Sequence, residues 1–108
     1  MPRTRITFAR ITNASLRGAD LKRADGYFGA IVASDLRGAN LRRSTLSSTD
    51  INGTDLRGAD LTNADLTGSR LGGANLRHAR FCNTVMPDGS MRNPTDEPCP
   101  GRLASIRR

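Results

Sequence analysis

The chain has no Trp and only three Phe and one Tyr among its 108 residues. A core of interlocking large rings is excluded, so any interior must be filled with aliphatic side chains. One His, two Cys and no CxxC leave too few ligands at the right spacing for a zinc site. No apolar run approaches membrane-spanning length. The opening MPRTRITFARITN is basic but lacks the continuous apolar stretch of a secretory signal, which makes the cytoplasm the expected compartment. Acidic residues are scarce: Asp plus Glu number 10 against 17 for Lys plus Arg, a net charge of +7, and all the cations but Lys22 are Arg. That balance permits nucleic acid, acidic protein faces or lipid headgroups as partners and chooses none of them. Enzyme motifs are missing too. The glycines do not sit in a phosphate loop between a strand and a helix. His78 has no nearby nucleophile with an orienting carboxylate, and Cys82 four residues on is too little to build from. No catalytic residue, cofactor or metal is expected.

What the sequence does have is rhythm. Thr54 to Gly68 reads TDLRGADLTNADLTG. Leu56, Leu61 and Leu66 recur every five residues, with an Asp before each and a small residue two before. On a helix, five steps of about 100° would spiral the leucines around the axis. On a flat strand, odd spacing would send them to alternate faces. The period needs a chain that turns a corner every five residues and keeps its leucines inside.

The frame runs far beyond this stretch. Its central positions are Ile6, Ile11, Leu16, Leu21, Gly26, Ile31, Leu36, Leu41, Leu46, Ile51, Leu56, Leu61, Leu66, Leu71, Leu76 and Phe81. Gly26 is the one that is not large and apolar. Every position two earlier, from Thr4 to Ala79, is small. At Gly26 two readings stand: Tyr27 or Phe28 folds in to fill the gap, or the chain forms a local bulge.

The strings ADLKR (19–23), ANLRR (39–43), ADLTN (59–63), ADLTG (64–68) and ANLRH (74–78) resemble the A(D/N)LXX repeat of the pentapeptide-repeat family. The resemblance covers residues 4–83, about three quarters of the chain, with degenerate copies at 26–34 and 44–54. It implies an all-β fold, a right-handed quadrilateral β-helix with four pentapeptides per coil, here about four coils, and a bacterial origin. Residues 1–83 would form this solenoid. Residues 84–108 are expected to be a turn-rich C-terminal cap and tail: Pro87-Asp88-Gly89 signals a turn inside VMPDGSM, and RLASIRR is either one helical turn or unstructured. Small inward residues suit a narrow tube, which larger ones would overpack. The Asp residues before the leucines read as corner supports bonding their own backbone.

With four sides per coil, residues twenty apart stack. Arg17, Arg37, Arg57 and Arg77 then form a ladder, beside a column of Ser15, Asp35, Asp55 and Asn75, with Gly18, Gly38, Gly58 and His78 at the next corner. Lys22, Arg23, Arg42 and Arg43 load the adjoining face, near Asp20 and Asp60. Like charges about 5 Å apart repel by about 0.8 kcal/mol in water, which the aspartates offset. The face reads either as a charge-balanced surface or as an anion-binding ladder for nucleic acid or an acidic partner. No aromatics interleave it for single-strand stacking, and no helix is present to enter a major groove. Phe8, Tyr27, Phe28 and Val32 make the one apolar surface patch, either a protein or homodimer interface or a plug at the N-terminal end and the Gly26 gap.

Cys82 and Cys99 bracket the turn-rich segment, with Cys82 expected to point outward. A disulfide between them would add about 3 kcal/mol in the chain-entropy model, given an oxidising compartment. Similar Cys-bracketed turns close some members of the family. The best understood members mimic duplex DNA and bind DNA gyrase, which needs an acidic surface; a chain at +7 departs from that pattern. The expected function is a non-enzymatic structural or protein-interaction module with a partner of unknown identity. The alternative is an anion-binding protein that uses the arginine ladder.

Overall fold

The structure is a computed structural model describing residues 10–26 and 29–94. Its strands are very short. β1 (Arg10–Thr12) pairs in parallel with β2 (Ala30–Val32), matching Ile11 to Ile31. β3 (Thr84–Val85) pairs antiparallel with β4 (Met91–Arg92). Between them the chain is joined by single parallel bridges, from Ser15↔Asp35 to Asp65↔Val85, each linking residues twenty apart. Strands stay short because a corner arrives every five residues, leaving only two or three residues extended on each side.

The corner has a fixed chemistry. The residue two after each inward side chain adopts a left-handed backbone, with φ of 68° at Gly18, 67° at Gly38 and 71° at Gly58. The small residue that follows donates its N–H back to the inward residue's carbonyl: Ala19 to Leu16 at 2.9 Å, Ala39 to Leu36 at 3.0 Å, Ala59 to Leu56 at 3.0 Å. This fits a type II turn, which calls for φ > 0 at its third residue. Between corners, successive coils share a repeating set of backbone bonds. Asp55 N–H donates to Ser34 O on the coil below; Leu56 and Gly58 donate upward to Asn75 O and Arg77 O. The backbone is thereby satisfied coil against coil, as in a sheet.

Some corners depart from this. After Ile11, Ile31, Leu46 and Phe81 no N–H closes the turn onto the inward carbonyl, and at the first two, hydroxyls from the coil above take over. Ala14 N–H donates to Ser34 Oγ at 3.1 Å, and Ser34 N–H to Thr54 Oγ1 at 3.4 Å. Thr54 Oγ1 in turn donates to Ile31 O. Thr49 and Thr84 make the matching bond to Gly26 O (2.6 Å) and Leu61 O (2.7 Å). The occasional Ser or Thr at an inward small position thus stitches one coil to the next.

The core is a single stack of aliphatics. Ile31, Leu36, Leu41, Leu46, Ile51, Leu56, Leu61 and Leu66 are all at most 2% exposed, and Ala39, Ala59, Ala64 and the slightly more exposed Phe81 pack with them. Burying each of the large ones stabilises the tube by about 1.5–3 kcal/mol. Ile11, Leu16 and Leu21 at one end, and Leu71 and Leu76 at the other, are only half-buried.

At Gly26 the frame does not bulge. Gly26 N–H donates to Thr45 O at 2.7 Å and Gly29 N–H to Gly26 O at 2.8 Å, the same bonds a leucine makes at this position. Register is kept on both sides, because Asp25↔Thr45 and Ala30↔Asp50 remain in pair. Tyr27 and Phe28 lie outside the described residues, as do Phe8, Cys99 and the 102–108 segment.

The turn-rich segment does form a hairpin. Gly89 N–H closes onto Met86 O at 2.8 Å with Pro87 and Asp88 between, and Asp88 accepts from Ser90 N–H and Oγ. Cys82 corrects the outward reading: it is 2% exposed, stacked over Thr62, which is fully buried. The return strand explains this. It brings Arg92 over the Phe81 ring at 4.2 Å, and Asn93 accepts from Asn83 N–H at 2.7 Å, so the slot between them is closed.

Candidate binding surface

The columns expected from the twenty-residue spacing are present. Ser15↔Asp35, Asp35↔Asp55 and Asp55↔Asn75 are consecutive bridges, and Arg17, Arg37, Arg57 and Arg77 each follow two residues later. The four arginines therefore share one face, one coil apart. Their surroundings differ rung by rung. Arg37 donates from Nε and Nη2 to Asp35 at 2.9 and 2.7 Å, and Arg57 from Nε and Nη2 to Asp55 at 2.9 and 2.6 Å. Asp55 Oδ2 also lies 3.8 Å from Arg37 Nε. Arg17 and Arg77 have Ser15 and Asn75 at the equivalent place, so the outer rungs carry no carboxylate of their own. The ladder is neutralised in its middle and positive at its ends.

These pairs leave a mark on the titration of the aspartates. The Arg37 guanidinium bonding to Asp35, helped by Arg37 N–H, holds that carboxyl far below the usual range. The Arg57 side chain also lowers the Asp55 carboxyl, with Arg37 adding a smaller pull. The arginine pKa values rise in answer. All four groups are solvent-exposed enough that water and salt screen the pairing.

On the adjoining face, Lys22 Nζ stands 3.8 Å from Asp20, and Arg42 Nη1 3.6 Å from Asp60. Arg23 and Arg43 project from the corner itself, where φ is 59° and 61°. They line a recess of about 320 Å³ with Asp25 and Thr45. The eight basic residues named here therefore lie on two adjoining sides. Of the apolar patch, only Val32 falls among the described residues, half-buried in β2. Sequence reasoning did not single out the Arg10, Asp50 and Arg70 column, which borders a recess of about 420 Å³ with Gly29, Ala30, Ser48 and Gly68. Its signal was available in the same twenty-residue spacing. Among the described residues no group of His, Cys, Asp or Glu is placed to hold a metal ion. None of their helices is long and apolar enough to cross a membrane.

The family described as Pentapeptide repeats matches residues 33–63 and 59–93, with 8 copies of the repeat. No curated protein matches the chain. Among solved structures it is similar to alr5209, a pentapeptide repeat protein from Nostoc PCC 7120. The two are 26% identical, with 95% of this chain and 82% of that one covered and a TM-score of 0.62. It is also similar to the pentapeptide repeat protein Rfr23 from the cyanobacterium Cyanothece 51142, at 26% identity, 82% and 64% coverage and a TM-score of 0.44. A third is HetL from Nostoc sp. strain PCC 7120, a pentapeptide repeat protein involved in heterocyst differentiation regulation. Identity is 26%, coverage 82% and 51%, and the TM-score 0.33, so the chain spans about half of HetL's length. The likeness to alr5209 implies a right-handed quadrilateral β-helix, in accord with the four corners per twenty-residue coil found here.

Proposed function

The chain belongs to the pentapeptide-repeat family, and from that premise we propose that it is a non-enzymatic module that binds a protein partner along its sides. The observation that carries this is the division of labour in the repeat. The inward positions are spent on a packed stack of Leu, Ile and small residues. Everything variable therefore stands outward in columns one coil apart, about 4.8 Å. Such a surface is rigid before it binds, which lowers the ordering cost of association. We assign about four coils to residues 1–83, closed by a cap and tail over 84–108, with Phe8, Tyr27, Phe28 and Val32 as the interface patch. The patch also offers a face for a second copy. The test is a pull-down from the source organism, read by mass spectrometry, with wild type and Val32→Asp side by side. Loss of one partner on charging the patch supports the reading; identical captures overturn the patch as the interface.

The second reading is anion binding along Arg17, Arg37, Arg57 and Arg77 with Lys22, Arg23, Arg42 and Arg43. The outer rungs Arg17 and Arg77, which have no carboxylate two residues before them, favour it. It predicts steep loss of binding to nucleic acid or anionic vesicles as salt rises, and no binding at low salt would sink it. We further propose that Cys82 pairs with Cys99 when the chain is in an oxidising compartment. Thiol titration of the denatured, unreduced protein checks this: no reactive thiol is expected, and two would refute it.

A further inference from the structure

Resting on the anion-binding reading and narrowing it to one site, we propose that Arg23 and Arg43 form a two-arginine clamp for a phosphate-class oxyanion, apart from the protein-binding patch. Arg23 N–H donates to Arg42 O at 2.8 Å and Arg43 N–H to Thr62 O at 2.9 Å. The two corners are thereby locked one coil apart, about 4.8 Å. Both side chains are exposed, and neither makes an ion pair or side-chain hydrogen bond among the described residues. In this they differ from Lys22, Arg37, Arg42 and Arg57, each beside a carboxylate. They open onto the 320 Å³ recess, which is also lined by Asp25 and Thr45, themselves paired across the two coils.

The backbone adds a second argument. Arg23 and Arg43 occupy left-handed corners that disfavour a side chain with a Cβ. The same stack continues above them as Asn63 and Asn83, and a neighbouring stack holds Gly18, Gly38 and Gly58. Among the described residues, this is the only stack in which the same residue other than Gly or Asn recurs in consecutive coils. The chain thus stacks two guanidinium groups one above the other at a backbone conformation that carries a cost for any side chain with a Cβ.

The chemistry selects a dianion. Two unpaired forks one coil apart repel, and a tetrahedral, doubly charged oxyanion accepts hydrogen bonds from both. A planar, singly charged carboxylate satisfies one fork and leaves the repulsion in place. Asp25 shares the recess and is already engaged in an interaction of its own. Its charge weakens the site without filling it.

The test is an NMR titration of the Arg Nε–H signals with inorganic phosphate at constant ionic strength. Parallel titrations use a phosphoserine peptide and its unphosphorylated form. Saturating shifts at Arg23 and Arg43 are expected. Arg23→Gly with Arg43→Gly should weaken binding by about tenfold or more. Because glycine suits these corners, that double variant keeps its fold, which its melting temperature verifies. Asp25→Asn should tighten binding by about threefold. Saturation by phosphate alone assigns a small phosphate compound; tighter saturation by the phosphopeptide, with none by the plain peptide, assigns a phosphorylated protein segment. Unsaturating shifts spread over Arg17, Arg57 and Arg77 overturn the clamp. So does a double variant that binds phosphate like wild type.

Discussion

Asp55 lies between two arginines of neighbouring coils: its Oδ2 is 2.6 Å from Arg57 Nη2 and 3.8 Å from Arg37 Nε. One carboxylate thus serves its own rung and the rung below. It also accepts Arg57 N–H at 3.1 Å, so the same group supports the corner and balances the ladder.

That sharing sets an acid limit on stability. Asp35 and Asp55 both titrate lower when folded than the unfolded carboxylate, near pH 4. A group with a depressed folded pKa stabilises the fold above its unfolded pKa and loses that effect as pH falls through the folded value. Melting temperature should therefore be flat from pH 8 to about 5 and fall below about 4. Asp35→Asn with Asp55→Asn keeps the turn acceptor but removes the charge. Its acid decline should be shallower; curves parallel to wild type would refute the assignment.

Thr54 is the hinge of the hydroxyl-bridged corner. Thr54→Val keeps shape but strands Ile31 O and Ser34 N–H inside the tube. The expected loss is about 1–3 kcal/mol in denaturant melts. Thr54→Ser should recover most of it, because Oγ is retained.

Position along the rod should govern the cost of core truncation. Leu61 is fully buried, so Leu61→Ala should cost about 2–5 kcal/mol. Leu76 is half-buried at the end of the stack. Leu76→Ala removes less buried area and leaves a dent open to solvent, so it should cost less than half as much. Equal costs would mean that the end is covered in solution.

Gly72 tests a single bond. A Cβ there would stand 2.8 Å from Asn52 Oδ1, which now accepts Gly72 N–H at 2.7 Å. The Asn52 side chain can swing away, so Gly72→Ala should cost only about 0.5–1 kcal/mol, the worth of one exposed hydrogen bond. In an Asn52→Ala background the same change should be neutral or stabilising.

Most of this architecture was legible because the repeat binds sequence position to space. Leu56, Leu61 and Leu66 had to share an interior, and Arg17, Arg37, Arg57 and Arg77 had to share a face. What escaped notice depends on contacts between coils or on the returning chain. Ser34 and Thr54 read simply as small inward residues, and their bonding across coils appears only once the coils are stacked. Cys82 sits at a position that faces outward in most repeats, and it becomes buried, with Thr62 beneath it, where the chain folds back through β4. Asp35 and Arg37 are plainly neighbours in sequence, but their two-pronged geometry follows from the turn that aims both side chains along the same side.

The twenty-residue register has a consequence for how this chain can change. Deleting one residue between Arg10 and Asn83 would throw every later inward side chain out of phase. Adding five would restore the interior but rotate everything downstream by a quarter turn. A five-residue insertion after Gly58 would carry Arg77 onto the neighbouring side while Arg17, Arg37 and Arg57 stayed in line. Only lengths of twenty preserve both the filling and the pattern of charges. Growth by whole-coil duplication is the one route that leaves the protein's outer face readable by the same partner.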